Sequence, residues 1–147
     1  MSQKLFATGN DFTLTIVRLV LGVVFFMHGA QLTLGWFGGY GYTASMHFFT
    51  QEFPAWLAFL AIMAQFLGGI GLIVGLLGRI AAFGIAVDML VAIFTVHIKV
   101  GFFMNWFGMQ KGEGYEYHLL ALALCLIIFV KGSGAASIDR LIYKGKS

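Results

Sequence analysis

Four apolar stretches, separated by glycine-rich or charged segments, set the pattern of the chain. They cover residues 12–34, 55–77, 80–98 and 117–130. At helical rise the longest of them cross the ~30 Å hydrocarbon core of a bilayer, and the fourth needs some extension or local bilayer thinning. The connection at residues 78–79 is so short that the second and third helices must be antiparallel neighbours. The pattern predicts an all-α fold, an integral membrane antiparallel four-helix bundle.

Composition supports this class. Hydrophobic residues make up 60% of the 147 positions, charged residues 10%, and the mean hydropathy is +0.90, outside the range of soluble globular domains. This length leaves room for a single membrane domain over residues 1–147. The expected partner surface is therefore the lipid bilayer. The basic residues are scattered near helix ends, which argues against nucleic acid as a partner.

The distribution of Lys and Arg predicts the orientation in the membrane. The N-terminal segment, the 78–79 turn and the C-terminal tail carry six basic residues: Lys4, Arg79, Lys131, Arg140, Lys144 and Lys146. The other two loops carry only Lys99 and Lys111. The positive-inside rule then places both termini in the cytoplasm, in a multi-pass protein of the inner membrane. The segment before Phe12 has no convincing small-residue cleavage site, so we expect it to be retained.

Two charged residues lie inside the apolar stretches. Arg18 and Asp88 are each about 9 to 12 Å from the predicted cytoplasmic ends of their helices, at helical rise. Both share helix faces with small residues. Because an isolated charge is costly in hydrocarbon, the sequence predicts a buried ion pair between them, structural in the first place, with a proton relay as the alternative.

A second polar level is predicted near the outer face, formed by His28, Gln31, His97 and Glu116. His28 and Gln31 share one helix face, and the other two lie near the outer ends of the third and fourth helices. Imidazole and amide groups can donate hydrogen bonds to a quinone-like head group. The alternative is that these residues only bind one another or pack at the interface. Asp88 and His97 are nine residues apart, so an ideal helix points them to different sides.

Other cofactors have weaker support. Two His on different helices also permit haem or metal binding, but no CxxCH, HExxH or paired Glu-x-x-His motif is present. The sequence therefore predicts no metal, and haem is disfavoured relative to quinone. We interpret His47 and His118 as structural, since His118 is two residues from Glu116 and points to another side of its helix. Cys125, the single cysteine, is expected to be a small core residue.

Several segments resemble the DoxX family of small membrane proteins. The first is Arg18-Leu-Val-Leu-Gly-Val-Val-Phe-Phe-Met-His-Gly-Ala-Gln, followed by Gly-Trp-Phe-Gly-Gly. Similar blocks follow in order: Gln65-Phe-Leu-Gly-Gly-Ile-Gly-Leu-Ile-Val-Gly-Leu-Leu-Gly-Arg, Thr95-Val-His97 with Gly101-Phe-Phe, Gly114-Tyr-Glu116-Tyr and Gly132-Ser-Gly-Ala-Ala-Ser-Ile-Asp139. Two positions depart from the family pattern, since Leu32 replaces a common Lys and Gln65 replaces a frequent acidic residue.

The resemblance implies a four-helix membrane fold and, in some members, association with thiosulfate- or quinone-linked oxidoreductase complexes. The function expected from it is an accessory or quinone-interacting subunit of a membrane redox complex, acting with other membrane or redox subunits or as a homo-oligomer. The alternative is a structural or assembly subunit without a cofactor or catalytic activity of its own. A transporter ranks third, because broken helices and an inverted repeat are not evident. Whether the chain is itself an enzyme stays open.

Overall fold

The computed structural model describes residues 2–144, with only the backbone of Ser2 and Gln3, so Lys146 lies outside the described residues. Within that range the chain forms α-helices and no strand: α1 (Ser2–Phe6), α2 (Phe12–Leu34), α3 (Gly41–Phe49), α4 (Ala55–Val74), α5 (Gly78–Thr95), α6 (Glu116–Lys131) and α7 (Ile138–Lys144). Single 3₁₀ turns at Trp36–Gly38 and His97–Lys99 follow α2 and α5. The all-α prediction is confirmed.

Local sequence signals explain where the long helices begin and end. The Asp11 carboxylate accepts a hydrogen bond of 2.8 Å from the Thr13 N–H, which caps the start of α2. Helix α2 ends at Gly35 and α4 at Gly75, and both glycines adopt the left-handed conformation, with φ of 71° and 72°. Helix α4 therefore ends earlier than the predicted residue 77. Gly75, which lies inside the predicted second stretch, terminates the helix.

The four longest helices pack in a ring. Helix α2 lies along α4, α4 contacts α5, α5 contacts α6, and α6 returns to α2. The α2 and α4 backbones approach closely at Gly29 and Gly69, where an added Cβ would collide with the backbone of Phe66 and Phe26 respectively. Cys125 is buried in the core between the helices, as predicted.

Large apolar side chains cover the outside of this ring. Helices α2 and α4 and the segment Gly78–Lys99 are each long and apolar enough to cross a membrane. Their exposed side chains include Val20, Val23, Leu60, Leu67, Phe83, Leu90 and Phe94. Such a surface is unfavourable in water and is matched by lipid, so the chain is a membrane protein.

The two ends of the helix ring differ in composition. One end, called here the basic end, is made of residues 4–11, 75–79 and 131–144, which carry Lys4, Arg79, Lys131, Arg140 and Lys144. Arg79 holds these segments together by donating hydrogen bonds to the carbonyl oxygens of Phe129, Val130 and Ala7. The opposite end, called the aromatic end, consists of residues 35–54 and 96–115 and is rich in Phe, Tyr and Trp.

Candidate functional site

Arg18 lies at the basic end and is almost completely buried, with 1% of its surface exposed. Its guanidinium donates hydrogen bonds to four backbone carbonyl oxygens, those of Leu72, Ile73, Ser133 and Ala136. The first two belong to the last turn of α4, where helical carbonyls lack partners within the helix, and the others belong to the segment before α7. Arg18 thereby ties α2, α4 and the C-terminal segment together.

Asp139 is the charged residue that complements Arg18 at this end. It is 1% exposed and accepts hydrogen bonds from the N–H groups of Leu77 and Gly78, at 2.7 and 2.9 Å, and from the Ser133 hydroxyl, at 2.5 Å. Leu77 has a left-handed φ of 53°, which is uncommon for a residue with a branched side chain. The carboxylate thus stabilises the strained turn between α4 and α5 and caps the N-terminus of α5.

The predicted ion pair between Arg18 and Asp88 is wrong on these contacts. Arg18 binds the end of α4 at Leu72 and Ile73, whereas Asp88 accepts a hydrogen bond from the Gln65 side chain at 2.8 Å. Gln65 and Leu72 are seven residues, or about 10 Å, apart along α4. Equal distances from the helix ends did not bring Arg18 and Asp88 together, because the two helices do not start at the same level. The C-terminal segment, which the prediction left out, supplies partners for Arg18.

The contact between Asp88 and Gln65 places a carboxylate in the apolar part of the bundle. Gln65 lies on α4 and Asp88 on the neighbouring helix α5, so the hydrogen bond joins the two helices. The second carboxylate oxygen, Oδ1, receives no hydrogen bond from residues 2–144 and is not sealed within the protein interior. Asp88 therefore has a free acceptor oxygen.

A cavity of about 450 Å³ opens toward the aromatic end. Its polar wall contains Gln65, Asp88, Thr95, His28, His97 and His118, and its apolar wall includes Phe25, Phe49, Phe53 and Met89. Small-molecule sites in proteins have this size and this mixture of apolar walls with a few polar groups. This cavity is the candidate functional site.

One side of the cavity is a row of four rings from three different segments: His28, Tyr117, His118 and His97. The centroid distances are 6.3 Å from His28 to Tyr117, 5.4 Å from Tyr117 to His118, and 4.0 Å from His118 to His97. His97 is held by a 2.7 Å hydrogen bond between its Nδ1 and the Glu113 carbonyl oxygen. Because a carbonyl only accepts, Nδ1 carries the proton and the other ring nitrogen is left as an acceptor.

Of the four residues of the predicted outer polar level, two line the cavity and two do not. His28 and His97 line the same cavity, and the predicted nine-residue conflict between Asp88 and His97 is resolved because α5 ends at Thr95. Gln31 donates a 3.1 Å hydrogen bond to the Phe37 carbonyl and does not line the cavity. Glu116 also lies outside the cavity wall, at the first position of α6.

His118 and Tyr117 are the residues that sequence reasoning missed. Spacing from Glu116 placed His118 on another side of the helix, which is correct, but that side faces the cavity. Both residues carry a buried polar atom without a partner among the described residues, Nδ1 of His118 and Oη of Tyr117. Buried polar atoms are nearly always paired, so the wall beside the cavity holds hydrogen-bonding groups that the described residues leave unused.

An apolar groove of about 590 Å³ runs between α4 and α5, next to the cavity. The two share four lining residues, Leu57, Ala61, Asp88 and Val91. Small residues such as Gly68, Gly71 and Gly84 also line the groove. The polar cavity and the apolar groove thus adjoin at these four residues, and Asp88 is the charged one among them. In residues 2–144, no three His, Cys, Asp or Glu side chains are grouped closely enough to bind a metal ion.

Comparison with known proteins gives one family and one curated relative. The DoxX family model matches residues 13–98, more than half of the chain. The relative is a Bacillus subtilis (strain 168) protein named "Putative oxidoreductase CatD", which is 26% identical over 131 residues, covering 89% of this chain and 87% of the relative. No solved structure shows significant similarity to the chain.

Proposed function

Because the chain belongs to the DoxX family, we propose that it is a quinone-interacting accessory subunit of a membrane oxidoreductase. The single observation that carries this proposal is the junction of a polar cavity with an apolar groove at Asp88. A lipid-soluble quinone has the same two parts, a polar head group and an apolar tail. The name of the relative, an oxidoreductase, agrees with a redox role.

The head group fits the cavity by its chemistry. A quinone needs hydrogen-bond donors for its carbonyl oxygens and apolar or aromatic walls for its ring. The His28 and His118 rings in the cavity wall carry one N–H each in their neutral form, and the unpaired Tyr117 hydroxyl is buried behind that wall. Phe25 and Phe49 supply aromatic walls. When bound, the quinone would supply the capacity to carry two electrons and two protons, and the residues of the cavity would orient and hydrogen-bond it.

The tail fits the groove between α4 and α5. The groove is lined by aliphatic residues and glycines, with three exceptions: Met63, Phe83 and Asp88. An isoprenoid tail in this position would remain in contact with lipid, so that the molecule enters from the bilayer without crossing water. Burial of apolar surface in such a groove supports binding mainly through packing, since lipid is as apolar as the protein surface.

The membrane topology belongs to the same proposal. Helix α6, with 16 residues, would be the fourth span of an antiparallel bundle, and the whole chain a single membrane domain. The hydrogen bonds from Arg79 to the N-terminal segment and the end of α6 support placing these segments on one side. The positive-inside rule makes that side cytoplasmic, in the inner membrane, and a reporter fused after Ser147 should be active only there. Activity of the fused reporter on the outer side would overturn this orientation.

Quinone binding is tested with the full chain purified in lipid nanodiscs. Extraction and chromatography should detect a copurifying quinone, and a decyl-benzoquinone probe should bind saturably. His28→Leu should weaken probe binding without changing the melting temperature. Val91→Phe should also weaken binding, because it places a ring at the junction of cavity and groove.

Leu90→Phe is the matched control for the groove. Leu90 is adjacent in sequence, is exposed on the outside of α5 and lines neither the cavity nor the groove. It should bind the probe like the wild type. Absence of saturable binding, together with a protein that copurifies in stoichiometric amount, would instead favour the structural or assembly subunit.

A further inference from the structure

We infer that the cavity binds the reduced, hydroquinone form of its ligand more tightly than the oxidised form, with Asp88 as the residue that discriminates between them. This inference rests on the proposed quinone site and adds its preferred redox form. It follows from the position of Asp88, from the balance of donors and acceptors around it, and from the absence of cationic side chains in the cavity wall.

Asp88 is placed where the head group must lie. It lines both the cavity and the groove, so the point at which a head group continues into its tail is next to this carboxylate. One oxygen, Oδ2, is occupied by the Gln65 amide at 2.8 Å, which fixes the side-chain direction. The other oxygen has no donor within the described part of the chain. An acceptor oxygen is therefore available in the wall that the cavity and the groove share.

The two redox forms differ in what they offer to such an acceptor. An oxidised quinone has only carbonyl oxygens, which accept hydrogen bonds and are repelled by the lone pairs of a carboxylate. A hydroquinone has two hydroxyl groups, each of which can donate. A hydrogen bond from a hydroxyl to a carboxylate is among the stronger ones, and a low-dielectric site increases its strength.

No cation in the wall offsets this preference. The residues that line the cavity include no Lys and no Arg, so the oxidised form has no charged donor for its carbonyls. The second carboxylate of the wall, Glu113, accepts a 2.7 Å hydrogen bond from the Asn105 N–H in the outer loop and, unlike Asp88, does not line the groove. The His28 and His118 rings do not discriminate in the same way, because neutral imidazole both donates and accepts. His97, whose Nδ1–H is bound to the Glu113 carbonyl, offers only an acceptor and adds to the preference set by Asp88.

The test compares both redox forms of decyl-benzoquinone with the full chain in phosphatidylcholine nanodiscs, under anaerobic conditions. Wild-type protein should bind the reduced form about tenfold more tightly, or more, as expected for one additional charge-assisted hydrogen bond. Asp88→Asn should bring the ratio of the two dissociation constants close to one, because an amide can donate to a carbonyl as well as accept. Glu52→Gln, which neutralises an exposed carboxylate outside the cavity, should leave the ratio unchanged.

Each outcome separates this inference from the proposed function. Equal affinity of the wild type for both forms, or an unchanged ratio in Asp88→Asn, overturns the inference and leaves the quinone site standing. Failure of the wild type to bind either form overturns the quinone site itself. If Asp88→Asn does not fold, a wild-type ratio near one still overturns the inference, and a preference for the reduced form supports its first part.

Discussion

The two ends of the helix ring use buried polar groups in opposite ways. At the basic end, Arg18 and Asp139 are both 1% exposed and have hydrogen-bond partners in three segments, the end of α4, the turn between α4 and α5, and the segment before α7. At the aromatic end, the polar groups surround a cavity, and Tyr117, His118 and Asp88 each have an atom without a partner in residues 2–144. The network of Arg18 and Asp139 is closed, although Nε of Arg79 at the same end is buried without a partner among residues 2–144, and the aromatic end is open.

This difference separates a structural role from a binding role. A closed network contributes to stability because each group is paired, and removing one member leaves the others buried and unpaired. An open set of polar groups costs folding free energy, and a protein retains such groups where a ligand supplies the missing partners. Substitutions at the basic end should therefore change stability, and substitutions at the aromatic end should change binding.

The largest effect is expected for Arg18→Leu. This change removes the donors from four buried carbonyl oxygens and leaves Asp139 without its nearest buried cation, so the free energy of unfolding should fall by about 3 kcal/mol or more. This loss is measured by equilibrium unfolding in mixed micelles. Arg18→Lys keeps the charge but loses the planar fork, so it should be intermediate. A loss below about 1 kcal/mol in Arg18→Leu would show that the network is not closed.

Asp139→Ala should have the next largest effect. The N–H groups of Leu77 and Gly78 lose their acceptor in a buried turn, which should cost about 2 kcal/mol by the same measurement. Asp11→Ala is the matched control, because Asp11 also caps a helix but at an exposed position where water replaces the lost acceptor. If both changes lower the free energy of unfolding by the same amount, the burial of Asp139 adds nothing to the stability of the protein.

A double mutant tests whether the two ends are independent. Because Arg18 and Asp88 have different partners, Arg18→Leu with Asp88→Leu should lose as much stability as the two single changes added together. An ion pair between them would instead make the double mutant more stable than that sum. Recovery of stability in the double mutant would instead support the ion pair between Arg18 and Asp88 that the sequence predicts.

The smallest effect on stability is expected for Tyr117→Phe. The change removes a buried hydroxyl that has no partner in the described chain, so the free energy of unfolding should stay the same or rise by up to about 1 kcal/mol. Affinity for the quinone probe should nevertheless fall. A clear loss of stability with unchanged binding would assign Tyr117 to the packing of the bundle.

Sequence reasoning found the helices because their signals are local. The Asp11 cap, Pro54 before α4 and the apolar length of residues 12–34 act over a few neighbouring residues, and α2 has the bounds expected from its apolar stretch. The core position of Cys125 followed from its apolar surroundings. In the cavity wall, His28 and His97 could be named in advance because polar groups near the ends of apolar helices are conspicuous.

The partners of the polar residues could not be obtained in that way. Arg18 binds carbonyl oxygens of residues 54 to 118 positions away, and a backbone carbonyl leaves no signature in the sequence. His118 faces the cavity only because of how α6 is rotated against α5 and α2, which is set by the packing of side chains from three helices. Residue type and spacing alone thus determined the class of protein, its helices and its family. The tertiary structure decided which charges are satisfied and which polar atoms are left free, because that depends on contacts between segments far apart in the chain.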